Sequence, residues 1–282
     1  MTSFGLSLSS FIYFNYPLDE AIRRTAAAGY GGIDLWGGRQ HAYRDDLTEK
    51  EIAALRRQIE SEGMVVVSFI PAQFRYPTSL CSPSDKVRLD SIVYIKDSIQ
   101  TAAAFGAPVV SVCPGHTLYG QSVADGLDRL RDSLNAIAEF AAGYDMRIAI
   151  EPADKYETDL VPCCLDGLKL TQAMGHDNLG VLLDSGHAHV VGEDAADAIE
   201  QMQSRLFLVH IDDNFGERDQ HLVPGEGTFD FVSMLKALDK IGYDGYLCAE
   251  LEWGYTIDPD PPARLNVERM RQFEKSAFGT TT

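Results

Sequence analysis

Eight short apolar runs punctuate the chain: FGLSLS at 4–9, GGIDLW at 31–36, MVVVSF at 64–69, VVSVCP at 109–114, RIAIEP at 147–152, LGVLLD at 179–184, FLVHID at 207–212 and GYLCAE at 245–250. Each is short and evenly apolar, and reads as a strand covered on both faces, as parallel sheets require. The intervals between them carry a helical periodicity instead. LDEAIRRTAAAG runs from Pro17 to Gly29; TEKEIAALRRQIESEG has Thr48 as N-cap, Glu51 three residues on and Gly63 as its stop. Further helices are expected at 84–105, 122–142, 163–174, 194–204, 228–241 and 261–276. Strand and helix thus alternate eight times, which predicts a closed (β/α)8 TIM barrel over an open doubly wound sheet.

The 282 residues fit one such domain spanning 1–282, since barrels of this kind occupy about 250 residues without splitting. No long Pro/Gly/Ser linker, fixed-period repeat, G-x-G-x-x-G or Walker A sequence argues otherwise. The loops at 70–83 and 213–227 and the segment WGYTIDPDPP at 253–262 are expected on the catalytic face, as substrate walls or lid elements. The last, with the C-terminal helix, is also a candidate surface for assembly.

Composition narrows the function classes. A net charge of -18 repels a phosphate backbone over long range, so nucleic acid is not an expected partner. No apolar run approaches the roughly 18 residues of a membrane span. The start MTSFGLSLSS lacks a basic segment leading into an apolar one, so a cytoplasmic location is expected. Five cysteines without paired C-x-x-C spacing suggest neither a disulfide framework nor a zinc knot.

Chemistry concentrates where the strands end. Glu151 follows IAI, Asp184 follows GVLL, His210 follows FLV and Glu250 follows LCA. In a parallel barrel these four meet at the face that carries catalysis. Three carboxylates gathered there would repel one another and lose hydration, and a divalent cation resolves both problems. Salt bridges from Arg39, Arg75, Lys155 or Arg218 are the alternative. Oxygen-rich donors with one imidazole suit Mn²⁺, Co²⁺ or Mg²⁺, with Zn²⁺ compatible. The second nitrogen of His210 needs an acceptor to orient the ring. His41, in GGRQHAY, and His116, in CPGHTLYG, follow strands and are candidates for ligand contact, while Trp36 and Trp253 offer apolar faces.

The fragments GYGGIDLWGGRQHAY at 29–43, SVCPGH at 111–116, IEPADKYETD at 150–159, LLDSGHAHV at 182–190, VHIDDNFGERDQHLVPGEG at 209–227 and GYDGYLCAELE at 242–252, taken in order, give the chain a likeness to a known group. It resembles the xylose-isomerase-like (sugar phosphate isomerase/epimerase) superfamily, and within it the ketose 3-epimerase branch that includes D-tagatose and fructoselysine 3-epimerases. The resemblance implies one divalent metal held by Glu151, Asp184, His210 and Glu250. It also implies acid/base catalysis by Glu151 and Glu250 from opposite sides of the reacting carbon, and a homodimer or homotetramer. His187 resembles a substrate-binding histidine that fructoselysine-type sequences can lack, which leans away from fructoselysine. Glu157 and Arg218 resemble groups that contact the sugar near its reacting oxygens and hydroxyls.

Asp219 and His221 resemble the Asp-x-His metal pair of endonuclease IV, a relative acting on abasic DNA, and stand as either a second-metal pair or a hydrogen-bonded feature of their loop. The acidic composition weighs against DNA repair. C3 epimerisation of a free or lightly substituted ketose is the expected reaction. An aldose–ketose isomerase, a sugar lyase or dehydratase, and a nonenzymatic sugar-binding barrel are the alternatives.

Overall fold

The computed structural model describes residues 3–73 and 78–279. Eight parallel strands close in chain order into a barrel: β1 Gly5–Ser9, β2 Gly32–Gly37, β3 Val65–Pro71, β4 Val109–Val112, β5 Arg147–Ile150, β6 Leu179–Asp184, β7 Leu206–Ile211 and β8 Tyr246–Ala249, with β8 pairing back onto β1. Among the described residues the outer helices are α1 Leu18–Ala27, α2 Glu49–Ser61, α3 Asp85–Phe105, α4 Val123–Ala142, α5 Cys164–Met174, α6 Ser185–Val191, α7 Ala195–Met202, α8 Phe231–Ile241 and α9 Asp260–Phe278. The fold is the (β/α)8 TIM barrel that the alternation predicts.

The capping box on α2 forms in both directions: the Thr48 hydroxyl accepts from the Glu51 N–H and the Glu51 carboxylate accepts from the Thr48 N–H. One helix goes beyond the sequence expectation. The seven-residue α6 follows β6 at once, because the Asp184 carboxylate ending the strand also accepts the backbone N–H of His187 and so caps a helix. The expected 194–204 helix, observed as α7, is therefore the second after this strand. Of the loop expected at 70–83, residues 74–77 fall outside the described residues, and with them Arg75.

Two apolar layers hold the barrel. Ile148, Ile150, Val181, Leu183, Val209 and Ile211 belong to a cluster shared with helix residues such as Leu134, Ile199 and Leu235. Their alternates Val67, Val109, Ala149, Leu182, Phe207 and Leu208 form a separate cluster without helix residues, joined by Tyr246, so they fill the space the strands enclose. Gly32 is required by this filling. A Cβ there would lie 2.6 Å from Val67 Cγ2 and 3.1 Å from the Tyr246 ring. Gly32→Ala should cost about 1–3 kcal/mol by overpacking, measured by urea denaturation. Val67→Ala in the same chain should return part of the loss, and a Gly32→Ala protein of unchanged stability would refute this account of the interior.

Candidate metal and substrate site

Strand periodicity aims the site residues. On β8 and just past it, Tyr246, Cys248 and Glu250 alternate inward; on β5, Ala149 and Glu151; on β6, Leu182 and Asp184; on β7, Leu208 and His210. The apolar members make the floor and the polar members stand one or two levels above it, at the C-terminal mouth. Glu151 and Glu250 sit one residue past the last strand position.

His210, fully buried, is the centre. Its Nδ1 lies 3.1 Å from Glu250 Oε2, 3.3 Å from Glu151 Oε1 and 4.0 Å from Asp184 Oδ2. One donor atom from each of these four residues falls within 4.8 Å of all the others. A cation bonded at about 2.1 Å sets neighbouring donors about 3 Å apart, so the group needs only small adjustments to enclose one. Asp184 supplies the sharper test: Oδ1 accepts the His187 N–H, while Oδ2 is buried with no hydrogen-bond partner. An ionised oxygen left in that state is costly unless a cation meets it. The donor set fits a hard divalent ion.

Among the described residues no lysine or arginine forms an ion pair with the group. Arg39 pairs with Asp46, the Lys155 ammonium lies over the Tyr156 ring, and Arg218 is exposed. Histidines carry the compensation instead. Burial would lower His210, but the charge of Glu250 and hydrogen bonds with Asp34, Glu151 and Glu250 raise its pKa well above the usual imidazole value. Burial likewise raises Glu250, yet the charge and hydrogen bond of His210 overcome it and hold that carboxyl low.

A second charged group adjoins the first. His221 Nε2 lies 2.9 Å from Asp219 Oδ2 and 3.6 Å from Glu252 Oε2, while Nδ1 lies 3.2 Å from Asp212 Oδ2 and donates to the Glu250 carbonyl. The backbone of His221 sits at φ 47°, in the left-handed region that residues other than glycine seldom adopt, and this carries the ring between its partners. His187 Nδ1 accepts the Asp154 N–H at 3.3 Å and lies 3.6 Å from Asp219 Oδ2. Burial would lower His187, but the charges of Asp184 and Asp219 raise it to about 9, and with Nδ1 so engaged Nε2 carries a proton in either state.

The sequence-selected residues divide by position. A cavity of about 630 Å³ is lined by Trp36, Glu151, Glu157, His187, Asp219, His221, Glu250 and Trp253, with Phe11, Gln73, Cys113 and Glu252 among the others. Phe11 and Phe14 pack between Trp36 and Trp253, with ring centroids 4.8–5.3 Å apart, and make an aromatic wall facing the acidic one. Three expected ligand contacts are not among the residues lining this cavity. His41 is buried behind Trp36, its Nδ1 bonded to Ser10 Oγ and its Nε2 to the carbonyls of Tyr13 and Tyr16, so it is a structural histidine. His116 borders a neighbouring cavity of about 290 Å³ and bonds the Thr117 carbonyl. Arg218 points its charge to solvent, because the 213–227 loop turns the following residues, Asp219 to His221, inward instead.

Asp34, Asp212 and Glu252 belong to the charged assembly and carry no role in the sequence reading. Spacing held the signal: Asp212 and Glu252 lie two residues beyond His210 and Glu250, on the same strand face, and Asp34 interrupts the apolar run GGIDLW.

The closed barrel and the donor cluster at its mouth together define an enzyme. Residues 22–273 match the xylose isomerase-like TIM barrels, and the chain belongs to that family. Fructoselysine 3-epimerase of Shigella flexneri is 28% identical over 255 residues, 90% of this chain and 92% of that protein. Ketose 3-epimerase of Arthrobacter globiformis is 28% identical over 148 residues, 52% of this chain and 50% of that one. Among solved structures, a D-tagatose 3-epimerase-like protein matches with a TM-score of 0.84 at 23% identity, covering 97% of this chain and 98% of its own. The IolI protein with a bound zinc atom matches with 0.83 at 18% identity, covering 98% and 100%.

Burial and neighbouring carboxylates lift Asp184, Glu157 and Glu252 to about 7, against the opposing pull of His187 or His221. Carboxyls in the unfolded chain titrate near 4. Between these values the folded, metal-free protein holds the extra protons, so its stability falls as pH rises through that window. The raised His210 and His221 act in the same direction at higher pH. The Tm of chelator-treated protein should therefore drop from pH 5 to pH 8. Adding Mn²⁺ at pH 7 should restore it and release protons into weak buffer. A flat Tm profile, or binding without proton release, would contradict the charge arrangement.

Proposed function

We propose that this protein is a divalent-metal-dependent epimerase that inverts C3 of a free or lightly substituted ketose. The observation that carries the reading is the convergence of Glu151 and Glu250, from different strands, on one histidine nitrogen at the base of a sugar-sized cavity. The epimerase names of relatives that span nine-tenths of the chain support it.

Glu151, Asp184, His210 and Glu250 would hold the cation, with Mn²⁺ the first choice, Co²⁺ or Mg²⁺ as substitutes and Zn²⁺ compatible with the donors. When bound, such an ion would supply Lewis-acid polarisation of the substrate carbonyl and so acidify the neighbouring C–H. The chain supplies the rest. One glutamate takes the C3 proton from one face; the electrons of that bond move toward the C2 carbonyl, forming an enediolate. The other glutamate, carrying a proton at the start, delivers it to C3 from the opposite face, giving the inverted centre and leaving the pair with its protonation states exchanged. His187, protonated on Nε2, donates to a sugar oxygen. Glu157, held protonated near neutrality by burial, donates to another. Trp36 and Trp253 cover C–H faces and exclude water from the acidic side. Asp219 and His221 form an ion pair at 2.9 Å, and with Asp212 they make a second group of donors within 4.8 Å of one another that a cation would also fit.

The test is turnover of a ketose panel in D₂O, following product stereochemistry together with label position. Interconversion of C3 epimers with deuterium at C3 is expected, abolished by chelation and restored by Mn²⁺. Deuterium at C1 or C2 with aldose formation would reassign the enzyme as an aldose–ketose isomerase. Glu151→Gln and Glu250→Gln should each lower turnover on the order of 10²–10⁴-fold while leaving the fold intact. Full activity in either variant would remove that residue from the acid/base pair.

A further inference from the structure

We propose that Asp34 is a positioning residue: it accepts the Nε2 proton of His210 from below and thereby commits Nδ1 of the same ring to the metal. The inference rests on the metal reading of the four-residue cluster but on no assumption about the sugar or the reaction.

His210 stands between two sets of groups. Nδ1 faces Glu151, Asp184 and Glu250, while Nε2 lies 3.2 Å from Asp34 Oδ2 on the opposite side of the ring. The same Asp34 oxygen accepts from the Cys248 thiol at 3.3 Å, and all three residues are fully buried. A neutral imidazole carries its proton on one nitrogen only, and the nitrogen that binds a metal must be the bare one. An acceptor fixed at Nε2 selects that form; an apolar or donating group there would not. A carboxylate also adds basicity to the ring, which strengthens the bond at the other nitrogen.

The placement is costly, which argues that it is held for a reason beyond packing. Asp34 lies within a strand whose neighbours Ile33 and Leu35 belong to the core, and its Oδ1 is buried with no partner. An apolar residue would fill the position without that desolvation. The β2–β3 register also shifts between Ile33 and Asp34, where Ile33 pairs Val66 but Asp34 pairs Ser68. Irregularities of this kind re-aim side chains near functional sites. Asp34, His210 and Cys248 could themselves gather round an ion, but neither Asp34 nor Cys248 borders either cavity at the mouth, and the thiol's hydrogen bond leaves Asp34 Oδ2 in the role of acceptor.

Asp34→Asn keeps the shape of the side chain while removing the charge. Mn²⁺ affinity of the full chain, measured by chelator competition without sugar, should fall roughly 10–100-fold. In the unmodified protein loaded with diamagnetic Zn²⁺, ¹⁵N NMR should find His210 protonated on Nε2 and metal-bound through Nδ1; this measurement stands even if the variant fails to fold. A folded variant that binds Mn²⁺ as tightly as the parent, or a parent ring bound through Nε2, would overturn the proposal. A parent that binds no Mn²⁺ would overturn the metal reading itself, and a parent that binds it but epimerises no ketose would overturn only the reaction.

Discussion

Charge crowding at the mouth of a closed barrel is the constraint on which the remainder depends. Glu151, Asp184 and Glu250 converge on His210, while Asp212, Asp219 and Glu252 converge on His221. Among the described residues no lysine or arginine forms an ion pair with any of these six. Such a group is stable only if the backbone cannot spread to relieve the repulsion. Closure of the sheet, with β8 hydrogen-bonded to β1, provides that rigidity, since every strand bearing an acidic group is held on both edges. The apolar floor beneath and the helix-covered layer outside supply the stability that the mouth consumes.

The loop after β7 shows how one buried carboxylate organises others. Asp213 Oδ2 accepts from the N–H groups of Gly225 and Gly227, and Oδ1 from those of Asn214 and Phe229, while its backbone pairs with Leu222. Four backbone donors on one side chain fix a long segment without regular structure. That fixing brings Asp219 and His221 back over the strand ends. Gly186 completes the fit, for a Cβ there would lie within 2.6 Å of Asp212 and Asp219 oxygens.

The cavity is chemically two-sided. Charged groups line one wall, and Phe11, Trp36 and Trp253 line the other, with Phe14 packed against both tryptophans. A polyhydroxylated ligand can satisfy both walls at once, its oxygens toward the carboxylates and its C–H surface against the rings. Removing water on the aromatic side also strengthens every interaction on the acidic side.

The sequence by itself determined the barrel and the four-residue cluster. Both follow from short-range rules: alternating periodicities fix element type, parallel order fixes which strand ends share a face, and a polar residue ending an apolar strand stands out against its neighbours. The capping box at Thr48 and Glu51 is local in the same way. Tertiary structure decided what depends on side-chain direction and on loops. His41 and Arg218 occupy positions next to strands or in the right loop, yet one turns inward to bond Ser10 and two backbone carbonyls and the other faces water. Asp34 lies 176 residues from the histidine it touches, and only closure of the sheet brings the two within 3.2 Å. Spacing along a chain reports faces and turns. Which buried oxygen meets which nitrogen is set by packing among residues far apart in sequence, and local pattern carries no record of it.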